Sequence, residues 1–318
     1  MQTPFTIQVG CAAPIQLAGM PGISTVELAA AVADAGGLGM LGGAMMPALA
    51  LDAALGALQQ ITPGAVGVTF LVPFLDPEVV SVASRRSRVV DFFYGAPDAE
   101  IVRVVHAGGA LAAWQVGSGD EARAAADAGC DFVIAQGTEA GGHVRGRTSL
   151  LPLLDEVLAA AALPVLAAGG LASGRDLAAV LAAGAAGARI GTRFVASAES
   201  GAHPDYVAAL LAARSGDTVL CETFSVGWPD APHRVLRSAV AALEGLPDEP
   251  VGELRIAGTP VALPRGSVFS PTRETHGRID AMALYAGEGV GQIRDVPPAR
   301  EIVAALIRDA EALLARPR

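Results

Sequence analysis

The segment Ala135–Gly146, AQGTEAGGHVRG, places an imidazole directly after two glycines where an apolar run ends. His143 in such a turn can take or give a proton near neutral pH. Its spacing alone leaves open whether it faces a ligand or solvent. Two other features could act with it. VLAAGGLASGRDL sets Gly169 and Gly170 before a capped helical pattern, and ARIGTRFVAS sets Gly191 and Thr192 before another. Glycine lets the backbone approach an anion closely, and helix N-termini present free N–H groups, so both turns suit a phosphate. Thr69, Gln115 and Gln136 each end an apolar run. Neutral hydroxyls and amides match the carbonyl and N–H edge of a heterocycle. Glu139 reads as a turn or capping residue rather than half of an acid pair. His106, His203, His233 and His276 read as ordinary loop or helix residues, although His233 and His276 could reach the same site if their segment folds over it.

These groups need a frame, and the chain supplies a repeating one. STVELAAAVADAGG opens with Ser24, has Glu27 three residues on, and stops at Gly36; SGDEARAAADAGCD and SGRDLAAVLAAGAAG repeat the pattern from Ser118 and Ser173 to Gly129 and Gly184. This is the pattern of a capped helix, a glycine stop and then a short strand. It predicts strands at Ala13–Leu17, Leu38–Leu41, Ala65–Thr69, Arg88–Asp91, Ala110–Trp114, Asp131–Ala135, Pro164–Ala168 and Ala188–Ile190, with helices between them. Eight β–α steps imply an α/β fold, a (β/α)8 barrel, over residues 1–200. Chemistry in such a barrel sits on the loops after the strands, which is where His143 and both glycine turns fall. Residues 201–274, rich in Pro and Gly, break the rhythm and read as a lid subdomain. Residues 275–318 return to the barrel and end in a helix begun by Pro297 and Pro298.

Composition narrows the function. The chain has 318 residues and a net charge of −10, which argues against nucleic acid as a partner. Cys11, Cys130 and Cys221 are widely spaced and read as apolar fillers, implying neither disulfides nor a metal site. No signal-peptide pattern opens the chain, and the uncharged runs 35–51 and 157–174 are broken by Pro and by glycine pairs, so a cytoplasmic protein that does not cross a membrane is expected. Gly37, Gly39 and Gly42 match GxGxxG, but a helical pattern precedes them and they overlap a strand, so a dinucleotide fingerprint is rejected.

AQGTEAGGHVRG resembles the signature of the nitronate monooxygenase family, also called 2-nitropropane dioxygenases. QLAGMPGISTVELAAAVADAGGLG, LAAGGLASGRDLAAVLAAGAAGARIGTRFVAS and YAGEGVGQIRDVPPAREIV resemble further segments of it. The resemblance implies a TIM barrel that binds FMN without a covalent bond. It puts the phosphate on Gly169, Gly170, Gly191 and Thr192, and Gln115, Gln136 and Gly141 along the ring and ribityl chain. Gly19, Met20, Thr69, Gly142 and Ala168 complete the expected wall, with Tyr285 and Gly287 reaching it from the C-terminal segment. His143 becomes the catalytic base or the partner of a nitro group. The implied reaction oxidises alkyl nitronates with O2 to a carbonyl compound and nitrite. An NAD(P)H-dependent reductase of a quinone or enoyl thioester, and a flavin-binding protein without turnover, are the alternatives, and a homodimer is left open. Three departures from the family bear on substrate choice: Leu17-Ala18-Gly19 after Gln16, Thr69 for a common asparagine, and the extra Val144.

Overall fold

A computed structural model describes residues 1–256 and 259–315. Eight parallel strands form its centre: β1 (Ile15–Leu17), β2 (Gly39–Gly42), β3 (Val66–Leu71), β4 (Val89–Phe93), β5 (Leu111–Val116), β6 (Phe132–Gln136), β7 (Val165–Ala168) and β8 (Gly187–Ile190). Each pairs with the next, and β8 pairs with β1 through Ile15↔Ala188 to Leu17↔Ile190. The ring closes between β1 and β2, where Leu17 N–H donates to Leu38 O (3.0 Å) and Leu38 N–H to Ile15 O (2.8 Å). The expected barrel is therefore present, with every expected strand in place.

The helices form for the reasons legible in the sequence. Ser118 and Ser173 accept hydrogen bonds from Glu121 N and Asp176 N at their helix starts, and Gly36, Gly129 and Gly184 take the left-handed conformation that ends a helix. One cap shifts by a residue. Thr25, not Ser24, caps Val26–Asp34. Ser24 instead donates to Ala18 O (2.9 Å) and accepts from Met20 N (3.0 Å), stitching the loop after β1. Gly39–Gly42 is itself strand β2, so the GxGxxG match opens no helix.

The eighth helix is not next to its strand. After β8 only a short helix, Thr192–Val195, follows, and the chain then leaves the ring for about a hundred residues. Helix Ala299–Leu314 returns and packs against both Gly174–Ala182 and Val26–Asp34, filling the gap between the seventh and first helices. Ile302, Val303, Leu306 and Ala310 are buried there in the barrel core. The intervening segment builds its own buried cluster around Tyr206, Phe224, Val235, Leu236, Leu243 and Leu284. No helix among the described residues is long and apolar enough to cross a membrane.

Candidate active site

A cavity of about 530 Å³ opens at the C-terminal ends of the strands, between barrel and inserted segment. Every residue expected at the site lines it: His143, Gly19, Met20, Thr69, Gln115, Gln136, Gly141, Gly142, Ala168, Gly169, Gly170, Gly191, Thr192, Tyr285 and Gly287. Their chemistry divides the wall into two parts.

One part offers backbone donors. Gly169 and Gly170 adopt φ of +122° and +70°, which turns the chain sharply after β7. The N–H groups of Gly169, Gly170, Gly191 and Thr192 donate to no acceptor among the described residues. A helix, Gly174–Ala182, follows Gly170 after a short loop. Just before and within that helix start, Ala172 N and Ser173 N donate to the Asp176 carboxylate and Asp176 N to Ser173 Oγ, while the first two helical N–H groups, of Gly174 and Arg175, donate to no acceptor among the described residues. Gly287 N donates to Thr192 Oγ1 (3.0 Å), fixing the C-terminal segment to the turn after β8. Gly141 passes so close to that segment that a Cβ on it would lie 2.5 Å from Gly287 N.

The other part surrounds His143. Gly142 and His143 form a two-residue strand paired with His233 and Arg234 of the inserted segment, and Val144 N–H extends the contact to Pro232 O (2.8 Å). The extra Val144 therefore anchors the loop to the insertion. The imidazole stacks on Trp228, with centroids 4.0 Å apart and planes at 24°; Tyr94, Tyr285 and His233 stand around it at 5.3 to 6.0 Å. Burial, with His233 adding to it, lowers the His143 pKa from 6.5 to about 3, so the ring is neutral at physiological pH. Its Nε2 is buried with no hydrogen-bond partner among the described residues, as is Oε1 of Gln136, whose Nε2 donates to His143 O (2.9 Å).

The remaining histidines and Glu139 lie outside the cavity lining. His233 is fully buried; its Nδ1 bonds Ala231 O (2.9 Å) and its Nε2 accepts from Phe224 N (3.1 Å), which sets its neutral tautomer. His276 is exposed, His203 caps a helix, and His106 meets Asp131. Glu139 accepts from Leu150 N–H at a helix start (2.9 Å), the capping role expected of it.

Sequence reading missed the polar layer beneath the cavity. Arg189 on β8 reaches Asp91 on β4, with Nη1 2.9 Å from Oδ1 at an angle too oblique for a hydrogen bond. Arg189 Nη2 donates to Thr69 Oγ1 (3.1 Å), and Gln16 Nε2 donates to Asp91 Oδ2 (2.8 Å). β4 and β8 lie on opposite sides of the ring, so this ion pair spans the barrel interior. Arg189 and Thr69 line the cavity; Gln16 and Asp91 do not.

The family model for nitronate monooxygenase matches residues 3–78 and 76–309. The chain belongs to the nitronate monooxygenase family. Membership makes it an oxidoreductase, and the family resemblance read from AQGTEAGGHVRG holds over nearly the whole chain. As a nitronate monooxygenase family member it is 31% identical to the nitronate monooxygenase of Pseudomonas aeruginosa, over 97% of this chain and 99% of that protein. It is also 31% identical to a (3aS,4S,5R,7aS)-5-hydroxy-7a-methyl-1-oxo-octahydro-1H-indene-4-carboxyl-CoA dehydrogenase of Rhodococcus jostii, over 98% of this chain and 96% of that one. The solved nitroalkane oxidase of Streptomyces ansochromogenes superposes with a TM-score of 0.81 at 30% identity, covering 98% of this chain and all of that one.

Proposed function

We propose that the cavity holds FMN and that the enzyme oxidises alkyl nitronates with O2, forming a carbonyl compound and nitrite. The observation that carries this reading is the division of one cavity. Four unengaged backbone N–H groups lie on the wall of Gly169, Gly170, Gly191 and Thr192, and the unpartnered Nε2 of a neutral imidazole lies on the other. The residues fit the group. The glycine turns are donors for a phosphate dianion, Gln136 Oε1 is a buried acceptor for a ring N–H, and Gln115 and Thr69 add polar contacts. Bound FMN supplies the electron acceptor.

The chain's own residues then do three things. The glycine turns hold the phosphate and so set the depth of the ring. Trp228, Phe74, Phe93 and Phe269 wall the cavity with apolar surface and restrict water around the reacting carbon. His143, neutral at pH 7, accepts a proton at Nε2: for a nitroalkane, the α C–H bond breaks, its electron pair stays on the substrate as the nitronate, and the proton moves to the imidazole. The nitronate's negative charge beside the ring favours the imidazolium and offsets the burial that otherwise disfavours it. A preformed nitronate requires no base.

Two assays test this on the purified yellow protein. Oxygen uptake with a nitronate reports the activity. His143→Ala lowers kcat/KM for the neutral nitroalkane at least tenfold more than for the nitronate; equal losses would remove the base role.

A second reading, a dehydrogenase or reductase acting on an acyl-CoA thioester, is favoured by the name of the Rhodococcus relative. Against it, Arg189 is the sole cationic side chain lining the cavity among the described residues, and it is already paired with Asp91, so these residues supply no free cation to the CoA phosphates. Anaerobic mixing with NAD(P)H separates the readings, since rapid bleaching of the yellow colour marks a reductase.

A further inference from the structure

The proposed chemistry does not use the ion pair under the cavity floor. A guanidinium withdrawn from water is retained at a cost of several kcal/mol in desolvation, and pairs of apolar residues fill barrel interiors at least as well. Arg189 is 7% exposed and Asp91 fully buried. The pair is asymmetric in depth. Arg189 borders the cavity, and Asp91, held by Gln16 from β1, does not. Thr69, through its Oγ1, holds the guanidinium from β3. Three other strands thus position one side chain of β8, and of the two charged residues it alone borders the cavity.

We infer that Arg189 is the electrostatic tuning residue of the cofactor site: its cation, set against the ring of the bound flavin and only partly offset by Asp91, favours the reduced, negatively charged form of that ring. The inference rests on the FMN reading above. Taking up two electrons and one proton leaves an isoalloxazine with one net negative charge, and a fixed cation in a low-dielectric site favours such a charge without reorganising. Asp91 then acts as a brake on this effect.

The test is the midpoint potential of the FMN-loaded protein, measured by dithionite titration against a reference dye. Asp91→Asn keeps an acceptor for Arg189 and removes the opposing charge. It shifts the oxidised–reduced equilibrium toward reduced flavin by about tenfold, or ~30 mV for a two-electron couple. The double substitution Arg189→Gln with Asp91→Asn removes both charges and shifts the equilibrium the other way, below wild type. Potentials for all three proteins within twofold in that equilibrium would overturn the inference and leave the pair a structural brace. If Asp91→Asn does not fold, the double substitution measured against wild type decides between tuning and bracing on its own. A colourless protein that takes up no FMN refutes the cofactor reading instead, so the two failures are distinguishable.

Discussion

The imidazole of His143 should resist protonation far below the usual range, and this can be measured without substrate or cofactor. In the unfolded chain a histidine titrates near pH 6.5; in the fold, burial beside Trp228 and the proximity of His233 bring His143 to about 3. Above pH 6.5 the ring is neutral in both states and contributes nothing to the pH dependence. As the pH falls from 6.5 toward 3, the unfolded chain binds a proton that the native chain refuses, so native stability drops. At about 1.36 kcal/mol per pH unit, the loss reaches roughly 3 kcal/mol at pH 4 and roughly 4 kcal/mol at pH 3, where the native ring is itself half protonated. These are upper figures, because the ring borders a cavity that water can enter. Urea unfolding of wild type and His143→Gln at pH 7 and pH 4 isolates the effect: the stability of wild type relative to the variant falls by about 3 kcal/mol between the two pH values. A second arm uses the stack itself. Trp228 fluorescence, read in a Trp114→Phe background, is quenched as the imidazole protonates, with a midpoint near 3. Parallel stability curves, or a quenching midpoint near 6.5, would refute the argument that this pocket holds the ring neutral.

Two further outcomes follow from the site's backbone. Gly141→Ala brings a Cβ to 2.5 Å from Gly287 N and 2.7 Å from Ala286 C; backbone on both sides cannot yield cheaply, so FMN affinity by fluorescence quenching drops at least tenfold while the circular dichroism of the barrel is retained. Glu139→Ala removes the acceptor of Leu150 N–H at the start of helix Leu150–Ala160, and thermal unfolding should report a loss of about 1 kcal/mol; an unchanged Tm would show that the cap carries no net stability.

The barrel was legible because its logic is local. Each capped helix, glycine stop and short apolar run can be read within about twenty residues, and alternation of such units admits few topologies. The glycine turns and His143 were legible for the same reason, being loops at fixed places in that rhythm. The eighth helix was harder to place, since nothing near β8 announces that its partner lies at 299–314. The Arg189–Asp91 pair was missed because it joins residues 98 apart, each inside a run that reads as an ordinary buried strand. The available signal was one charge of each sign in VVDFF and GARIG, where an unpaired charge would be prohibitive. The surroundings of His143 were equally hidden: Trp228 sits in a Pro/Gly-rich stretch with no periodicity, and only the folded insertion brings it to the imidazole.

Placing the closing helix at 299–314 also bears on how the chain is made. On the ribosome, the strands and seven helices emerge first, while the apolar flanks of Val26–Asp34 and Gly174–Ala182 have nothing to cover them. The inserted segment, with its own interior, can condense during that interval, but the ring stays unsealed until Ala299–Leu314 has been synthesised. Removing Ala299–Leu314 would therefore leave the cavity's walls on a scaffold with an open, sticky seam.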